Sequence, residues 1–417
     1  MQIKQATLRS MKSTIKNICE TIGSRPPCSK QETMCAHYIR ENLGKYTDET
    51  HLEEFFCHPG TYKFIMRLPF ISLIITTIFY WLYFFFTNLV FLLIISFIIF
   101  TTFILIQTEI TRNIELIDSL FKKRRSTNTY GVFKPKARES GTNNKLIIIG
   151  GHHDSQHEFG VLKKSPLLFN LMITSSIFFH YILCAFFVLK LILFLFFNLP
   201  YFIVPLIDLI ILTILTVLFP FYVYSTFKIV TNRPILGVDD NLTAISILIE
   251  LAKYLHDYEL ENTEIWLVSH GCEEIGDRGS KRFSRRHQKE ILEKNALVVN
   301  IDMVGGKDSE LTIDTMEEVM LIRLCNELGA EISKIANDLG IKHRVGNVEA
   351  FTDSMAYSQN NIKAVSLIGT PKKGFPTYYH TRYDTIDKID FEKLWDCYSI
   401  IIEFIDRVDK NQISIQY

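Results

Sequence analysis

The 417-residue chain has no surplus of either charge, with 45 Lys and Arg against 45 Asp and Glu. A general attraction to nucleic acid or to anionic lipid is therefore not expected. It has no CxxC pair, and its eight cysteines (Cys19, Cys28, Cys35, Cys57, Cys184, Cys272, Cys325 and Cys397) follow no regular spacing. That pattern fits unpaired thiols in a reducing compartment better than a disulfide framework. The opening stretch "MQIKQATLRSMKSTIKNICE" is polar, so no cleavable signal peptide is expected. No internal repeat and no low-complexity tail is found. What the chain does have is phenylalanine, 32 residues of it, concentrated with Ile and Leu in two blocks. The length allows one large domain or two ordinary ones with a sizeable core.

The first block, residues 68–108, runs for 41 residues without a charge. A helix crosses the roughly 30 Å hydrocarbon layer in about 20 residues, so this block reads as two spans with a turn near Asn88. Soluble helices rarely stay apolar on every face for so long. The second block, 165–227, is interrupted only by Lys190 and Asp208. Two spans are expected there, near 166–189 and 200–225. Asp208 falls inside the second, where a carboxylate near the bilayer centre costs about 2.5–3.5 kcal/mol on insertion scales. A neighbouring helix or the interface can relieve that cost, and a role for Asp208 stays open.

Outside the blocks the pattern is α/β. Short runs rich in Val and Ile ("NKLIIIGG", "TEIWLVSH", "NALVVNIDMV", "NIKAVSLIG") read as strands. They alternate with helical patterns such as "NLTAISILIELAKYLHD" and "FEKLWDCYSIIIEFIDRV". This alternation predicts a mostly parallel sheet with helices on both faces, interrupted by two transmembrane hairpins. The expected order is one α/β domain over 1–62, 111–164 and 228–417, with the hairpins at 63–110 and 165–227.

Ligands in such sheets bind at the carboxyl ends of the strands, and the polar clusters fall there. "LIIIGGHHDS" ends in His152 and Asp154, "IWLVSHGCEE" in Glu273 and Glu274, and "LVVNIDMVGG" in Asp302. His380 lies in "TYYHTRYDT", and "GVDDN" sets Asp239 and Asp240 at a helix start. Singly, each has an ordinary explanation: an Asp there is commonly an N-cap, and paired Glu are usually solvated. Jointly, two His and several carboxylates on one sheet edge point to a metal centre. Imidazole and carboxylate ligands without Cys suit Zn²⁺. Asp240, His152, Asp302, Glu274 and His380 suffice for two ions sharing a bridging carboxylate, which leaves Glu273 as a general base.

"GGHHDS", "GVDDN", "EEIGDRGS", "NIDMVG" and "HTRYDT" stand in the order of the motifs of the two-zinc aminopeptidase family of clan MH, which the chain resembles. Aminopeptidase Y, glutamate carboxypeptidases and glutaminyl cyclases are relatives within that clan. The upstream segment "ICETIGSRPPCSKQETMCAHYI" is similar to the family's N-terminal helix and turn, with Cys28 where a Gly is usual. The resemblance covers 16–57 and 145–410. It implies two Zn²⁺ per chain, with Asp240 bridging. Glu274 and His380 would complete one ion, His152 and Asp302 the other. It further implies Glu273 as base, Asp154 orienting His152, and Tyr379 as a candidate for stabilising the oxyanion. His153 and His157 have no counterpart. The implied activity is hydrolysis of peptides by a membrane-bound aminopeptidase. A glutaminyl cyclase and a catalytically silent membrane scaffold remain the alternatives.

His152 precedes the second block, whereas the other four expected ligands follow it. All five can meet only if the block holds an even number of spans; the first must also be even if residues 1–62 join the same domain. The flanking bases Lys63, Arg67, Arg112, Lys122, Lys123, Arg124, Arg125, Lys163, Lys164, Lys228 and Arg233 share the side of the expected metal ligands. Only Lys190 is expected on the other side. This bias puts the catalytic side in the cytoplasm. In sealed vesicles, protease-accessible tags at both termini and within 112–160 should therefore share one side. Opposite sides for 112–160 and the C-terminus would rule out the five-ligand site.

Overall fold

The computed structural model describes residues 2–136, 145–197, 205–319, 321–372, 374–413 and 415. The strands are β1 (Glu49–Cys57), β2 (Arg124–Phe133), β3 (Lys145–His152), β4 (Thr263–His270), β5 (Leu297–Asp302), β6 (Glu310–Glu317), β7 (Ile322–Arg323), β8 (Arg344–Val348) and β9 (Lys363–Thr370). They form one sheet in the order β1-β2-β4-β3-β5-β9-β6-β7, with β8 paired to β6.

The expected mostly parallel sheet is not what forms; the sheet is mixed. β1–β2, β2–β4, β6–β9 and β6–β7 are antiparallel, while β3–β4, β3–β5, β5–β9 and β6–β8 are parallel. The reason lies in which strands announce themselves. The four apolar runs became β3, β4, β5 and β9, which are buried on both faces and parallel, as such runs commonly are. β1 "ETHLEEFFC", β2 "RRSTNTYGVF" and β6 "ELTIDTME" mix charged and hydroxyl side chains with apolar ones, so no continuous run marks them.

The helices are α1 (Gln2–Thr21), α2 (Lys30–Leu43), α3 (Gly60–Phe86), α4 (Leu89–Leu105), α5 (Pro166–Phe197), α6 (Pro205–Lys228), α7 (Thr243–Asp257), α8 (Arg278–Arg286), α9 (Gln288–Glu293), α10 (Asn326–Asp338), α11 (Asp353–Ser358) and α12 (Phe391–Asp409). Side chains alternate along β3 as the two-residue period requires. Ile147 and Ile149 join a core with α1, α2, α7, α10 and α12, whereas Leu146 and Ile148 join another with Phe283, Ile291 and Tyr357. Helices therefore cover both faces of the central strands, and their carboxyl ends are left to the loops.

Contacts divide the chain into two units. One consists of Met1–Pro59, Lys123–Glu158 and Arg233–Tyr417; the other consists of Gly60–Lys122 and Phe159–Asn232. Among the described residues the second holds four apolar helices long enough to cross a membrane, at Gly60–Phe86, Leu89–Thr111, Pro166–Phe196 and Leu206–Lys228. The shortest of these have 23 residues, about 35 Å at ~1.5 Å per residue and enough for the hydrocarbon layer. Large apolar side chains point outward on them, Phe97 and Val217 each being 72% exposed. Lipid is the solvent that suits such a surface. Chain 198–204, which includes the expected start of the last span, lies outside the described residues.

Lys190 does not end the third span as expected but continues α5 as one of its buried residues. Its ammonium pairs with Asp208 of α6, which also accepts from the Tyr80 hydroxyl of α3. The Tyr83 hydroxyl accepts from Lys190 Nζ at 3.2 Å. The two charges that interrupt the second block thus neutralise each other. Removing one partner of such a pair strands the other, at a cost of about 3–5 kcal/mol. Asp208→Leu and Lys190→Met should each lower the unfolding temperature in detergent, and the double replacement should recover most of the loss. Equal losses in the single and double variants would show that the pairing is not what holds these helices.

Candidate metal centre

Five loops at the carboxyl edge of the sheet supply the site. His152 ends β3, Asp302 ends β5, and Glu273 and Glu274 form the turn after β4. Asp240 lies in the turn before α7, and His380, at φ 47°, follows β9. The structure brings together all five expected ligands. His152, Asp240 and Asp302 form one triad and Asp240, Glu274 and His380 another, each with ligand atoms within 4.8 Å of one another. Asp240 is common to both. His152 Nε2 lies 3.1 Å from Asp240 Oδ1, 3.8 Å from Asp302 Oδ1 and 3.7 Å from Glu273 Oε2. His380 Nε2 lies 3.0 Å from Asp240 Oδ2 and 3.0 Å from Glu274 Oε2.

These groups fit cations better than they fit one another. Asp302 Oδ1, Glu274 Oε1 and both ring nitrogens of His152 are buried without a hydrogen bond. Burial, joined by neighbouring acids, holds the Glu273 carboxyl well above the usual range and that of Glu274 at about 7. Burial disfavours a charged His380, yet Glu274 and Asp240 push its ring up to about 10. Buried acids that outnumber their bases, with lone pairs aimed inward, are a donor set for divalent ions. Imidazole with carboxylate is the ligand chemistry of zinc-like metals.

The surrounding loops are tied by residues that spacing alone did not assign. Asp154, expected to orient His152, has Oδ1 3.4 Å from its Nδ1. It accepts from the backbone N–H of Glu273 and of Glu274, each at 3.1 Å. Asp384 accepts from the N–H of Asp239 at 2.8 Å and of Asp240 at 3.2 Å. Gln156 Nε2 donates to Glu274 Oε2 at 3.0 Å. Fully buried Arg25 donates to the carbonyls of His153, Leu236 and Gly237, lashing the β3 loop to the Asp240 turn. The signal for Asp384 is present in "HTRYDT"; Arg25 has none beyond its place in the upstream segment, and Gln156 only follows "GGHHDS".

His153 is outside both triads. Its Nδ1 meets Ser269 Oγ at 2.8 Å, and burial pushes the ring down to about 3, so it stays neutral. His157 is also outside the triads, its strand-like bridge being to Pro234. The Tyr379 ring stacks on His380, with centroids 3.8 Å apart, and on Phe375 at 4.7 Å.

Residues 224–405 match the model of the family described as Peptidase family M28. Its match includes four of the five converging ligands, and His152 joins them in space. The chain is thus similar, over residues 224–405, to peptidase family M28. A curated relative, aminopeptidase YwaD of Bacillus subtilis (strain 168), is 26% identical over 178 residues, or 42% of this chain and 37% of that protein. The chain thus matches little more than a third of that relative's length. Among solved structures, BSAP, a zinc aminopeptidase from Bacillus subtilis, has a TM-score of 0.56 at 14% identity, covering 96% of this chain and 95% of that one. The Bacteroides thetaiotaomicron glutaminyl cyclase bound to N-acetylhistamine has a TM-score of 0.54 at 16% identity, covering 96% and 97%. Both likenesses show a common fold.

The Asp384 contacts predict a measurable dependence. Asp384→Ala leaves two buried N–H groups without an acceptor, each costing about 1–3 kcal/mol. Metal affinity should fall about 10–100-fold, as for other outer supports of metal ligands. Denaturant unfolding and metal titration measure the two effects; unchanged affinity would mean that Asp384 does not position the Asp240 turn.

Proposed function

We propose that the chain is a membrane-embedded zinc peptidase of the aminopeptidase type. The observation that carries this reading is the pair of buried triads sharing Asp240, with an additional carboxylate, Glu273, beside His152. Asp240 would bridge two Zn²⁺, with His152 and Asp302 on one and Glu274 and His380 on the other. When bound, the ions supply positive charge that acidifies a water and polarises the substrate carbonyl.

Glu273 acts as the general base: its carboxylate accepts the proton of the attacking water and returns a proton to the leaving amine. The hydrogen bonds from its own N–H and that of Glu274 to Asp154 fix the turn that carries it. Tyr379, stacked between Phe375 and His380, offers its hydroxyl to the developing oxyanion. A cleft of about 280 Å³, lined by Met303, which follows Asp302, by Phe375, on which Tyr379 stacks, and by Val348 and Pro376, is suited to a substrate side chain. Glu318 and Glu349 on its wall are carboxylates available to a free substrate ammonium. The basic flanks of the apolar helices favour a cytoplasmic catalytic unit, and the pairing of Lys190 with Asp208 removes the one opposing charge.

Glu273→Gln should keep the wild-type metal content while kcat falls about 10²–10⁴-fold, the usual worth of a positioned base. Asp240→Ala should lose metal. Peptides with a free N-terminus should be cleaved and N-acetylated ones should not. Equal metal loss in the two variants would reverse the assigned roles, and efficient turnover of blocked peptides would sink the aminopeptidase reading.

A further inference from the structure

Three cysteines with no sequence relationship meet outside the triads. Cys28 lies in the loop between α1 and α2, Cys57 ends β1, and Cys272 follows β4. Cys28 Sγ is 3.0 Å from Cys57 Sγ and 3.5 Å from Cys272 Sγ, and the latter two are 3.5 Å apart. Cys57 and Cys272 are buried and Cys28 is partly so. A disulfide joins two sulfurs at about 2.05 Å and would leave the third unexplained. A tetrahedral ion with bonds of about 2.3 Å spaces its sulfurs at about 3.8 Å. The observed separations need to open by only about 0.3–0.8 Å for the ion, but to close by about 1 Å or more for the disulfide.

The surroundings are built for this arrangement. Buried Glu32, near the start of α2, accepts from the Cys28 N–H at 2.8 Å through Oε2. Its Oε1 accepts from the Cys272 N–H at 2.9 Å and from Ser126 Oγ at 2.9 Å. One carboxylate thereby fixes the turns that present two of the three thiols. Both turns hold cysteine in the left-handed region, Cys28 at φ 59° and Cys272 at φ 54°, where a side chain is disfavoured and needs compensation. Arg278 and Arg282 direct positive charge toward Cys57.

We propose that Cys28, Cys57 and Cys272 form a further metal site for one thiophilic divalent ion of the zinc class, separate from the two Asp240 triads. Thiolate donors select such ions over Mg²⁺ or Ca²⁺. Three thiolates beside Glu32 call for a divalent rather than a monovalent charge. Each S–metal bond forms as a thiol loses its proton to solvent. The partly exposed Cys28 side gives the ion its entry and leaves a fourth position for water. Because Cys272 directly precedes Glu273, the ion would clip the end of β1 to the turn that carries the proposed base.

Cobalt separates this site from the other, since only sulfur ligands give an intense near-ultraviolet charge-transfer absorption. Full-length protein in detergent, stripped of metal and reduced with a phosphine, is titrated with Co²⁺. The wild type should show the sulfur-to-cobalt absorption, saturating at one equivalent. Cys28→Ser should lose most of it while retaining the visible ligand-field absorption of the nitrogen and oxygen centre, which also reports that the variant is folded. Asp240→Ala should keep the sulfur absorption. No such absorption in the wild type, or its persistence in both Cys28→Ser and Cys57→Ser, overturns the proposal. So does a disulfide among the three in protein isolated without reductant. None of these readouts requires peptide hydrolysis, so they are independent of the activity proposed above.

Discussion

Charge of one sign, packed where water is scarce, is the constraint around which the carboxyl edge of the sheet is organised. Asp240, Glu273, Glu274 and Asp302 are buried together with His152 and His380 as their nearest bases. Hydrogen bonds alone do not offset such a cluster, because two of its oxygen atoms, Asp302 Oδ1 and Glu274 Oε1, are buried with none. Cations can. The rest of the edge then reads as scaffolding that keeps mutually repelling groups from relaxing apart: Asp154 under the Glu273 turn, Asp384 under the Asp240 turn, and Arg25 between two loops.

How much of this could be read beforehand depended on range. Strands buried on both faces spell themselves out as Val and Ile runs, so β3, β4, β5 and β9 were legible and the parallel centre with them. The flanking strands owe their place to pairing with neighbours far along the chain, as β1 does with β2. Their own residues carry polar groups common to loops, so the sequence points to a mostly parallel sheet where a mixed one forms. The ligand residues were legible because each sits inside a short local motif. Arg25 and the cysteine cluster were not, since their partners are far away: Arg25 and Gly237 are separated by 212 positions and Cys28 and Cys272 by 244.

The membrane segment shows the same division. Length and lack of charge were enough to mark the apolar helices, but the meaning of Lys190 and Asp208 emerged only from their pairing. Read as isolated charges, one looks like a span end and the other like a defect. Together they are a neutral, hydrogen-bonded unit between helices, which is the form in which ionisable groups persist in hydrocarbon.

The split of the metal-binding edge across the chain also has a consequence in time. His152 is synthesised first and His380 last, with the second apolar block and most of the sheet between them. Those 228 residues (380 − 152) take roughly 10–45 s to translate at ~5–20 residues per second. Until His380 leaves the ribosome, the second triad is one ligand short, however well the earlier segments have folded. On the proposed reading, the nascent polypeptide is harmless to its neighbours throughout membrane insertion, and hydrolytic competence arrives as one of the last events of its biogenesis.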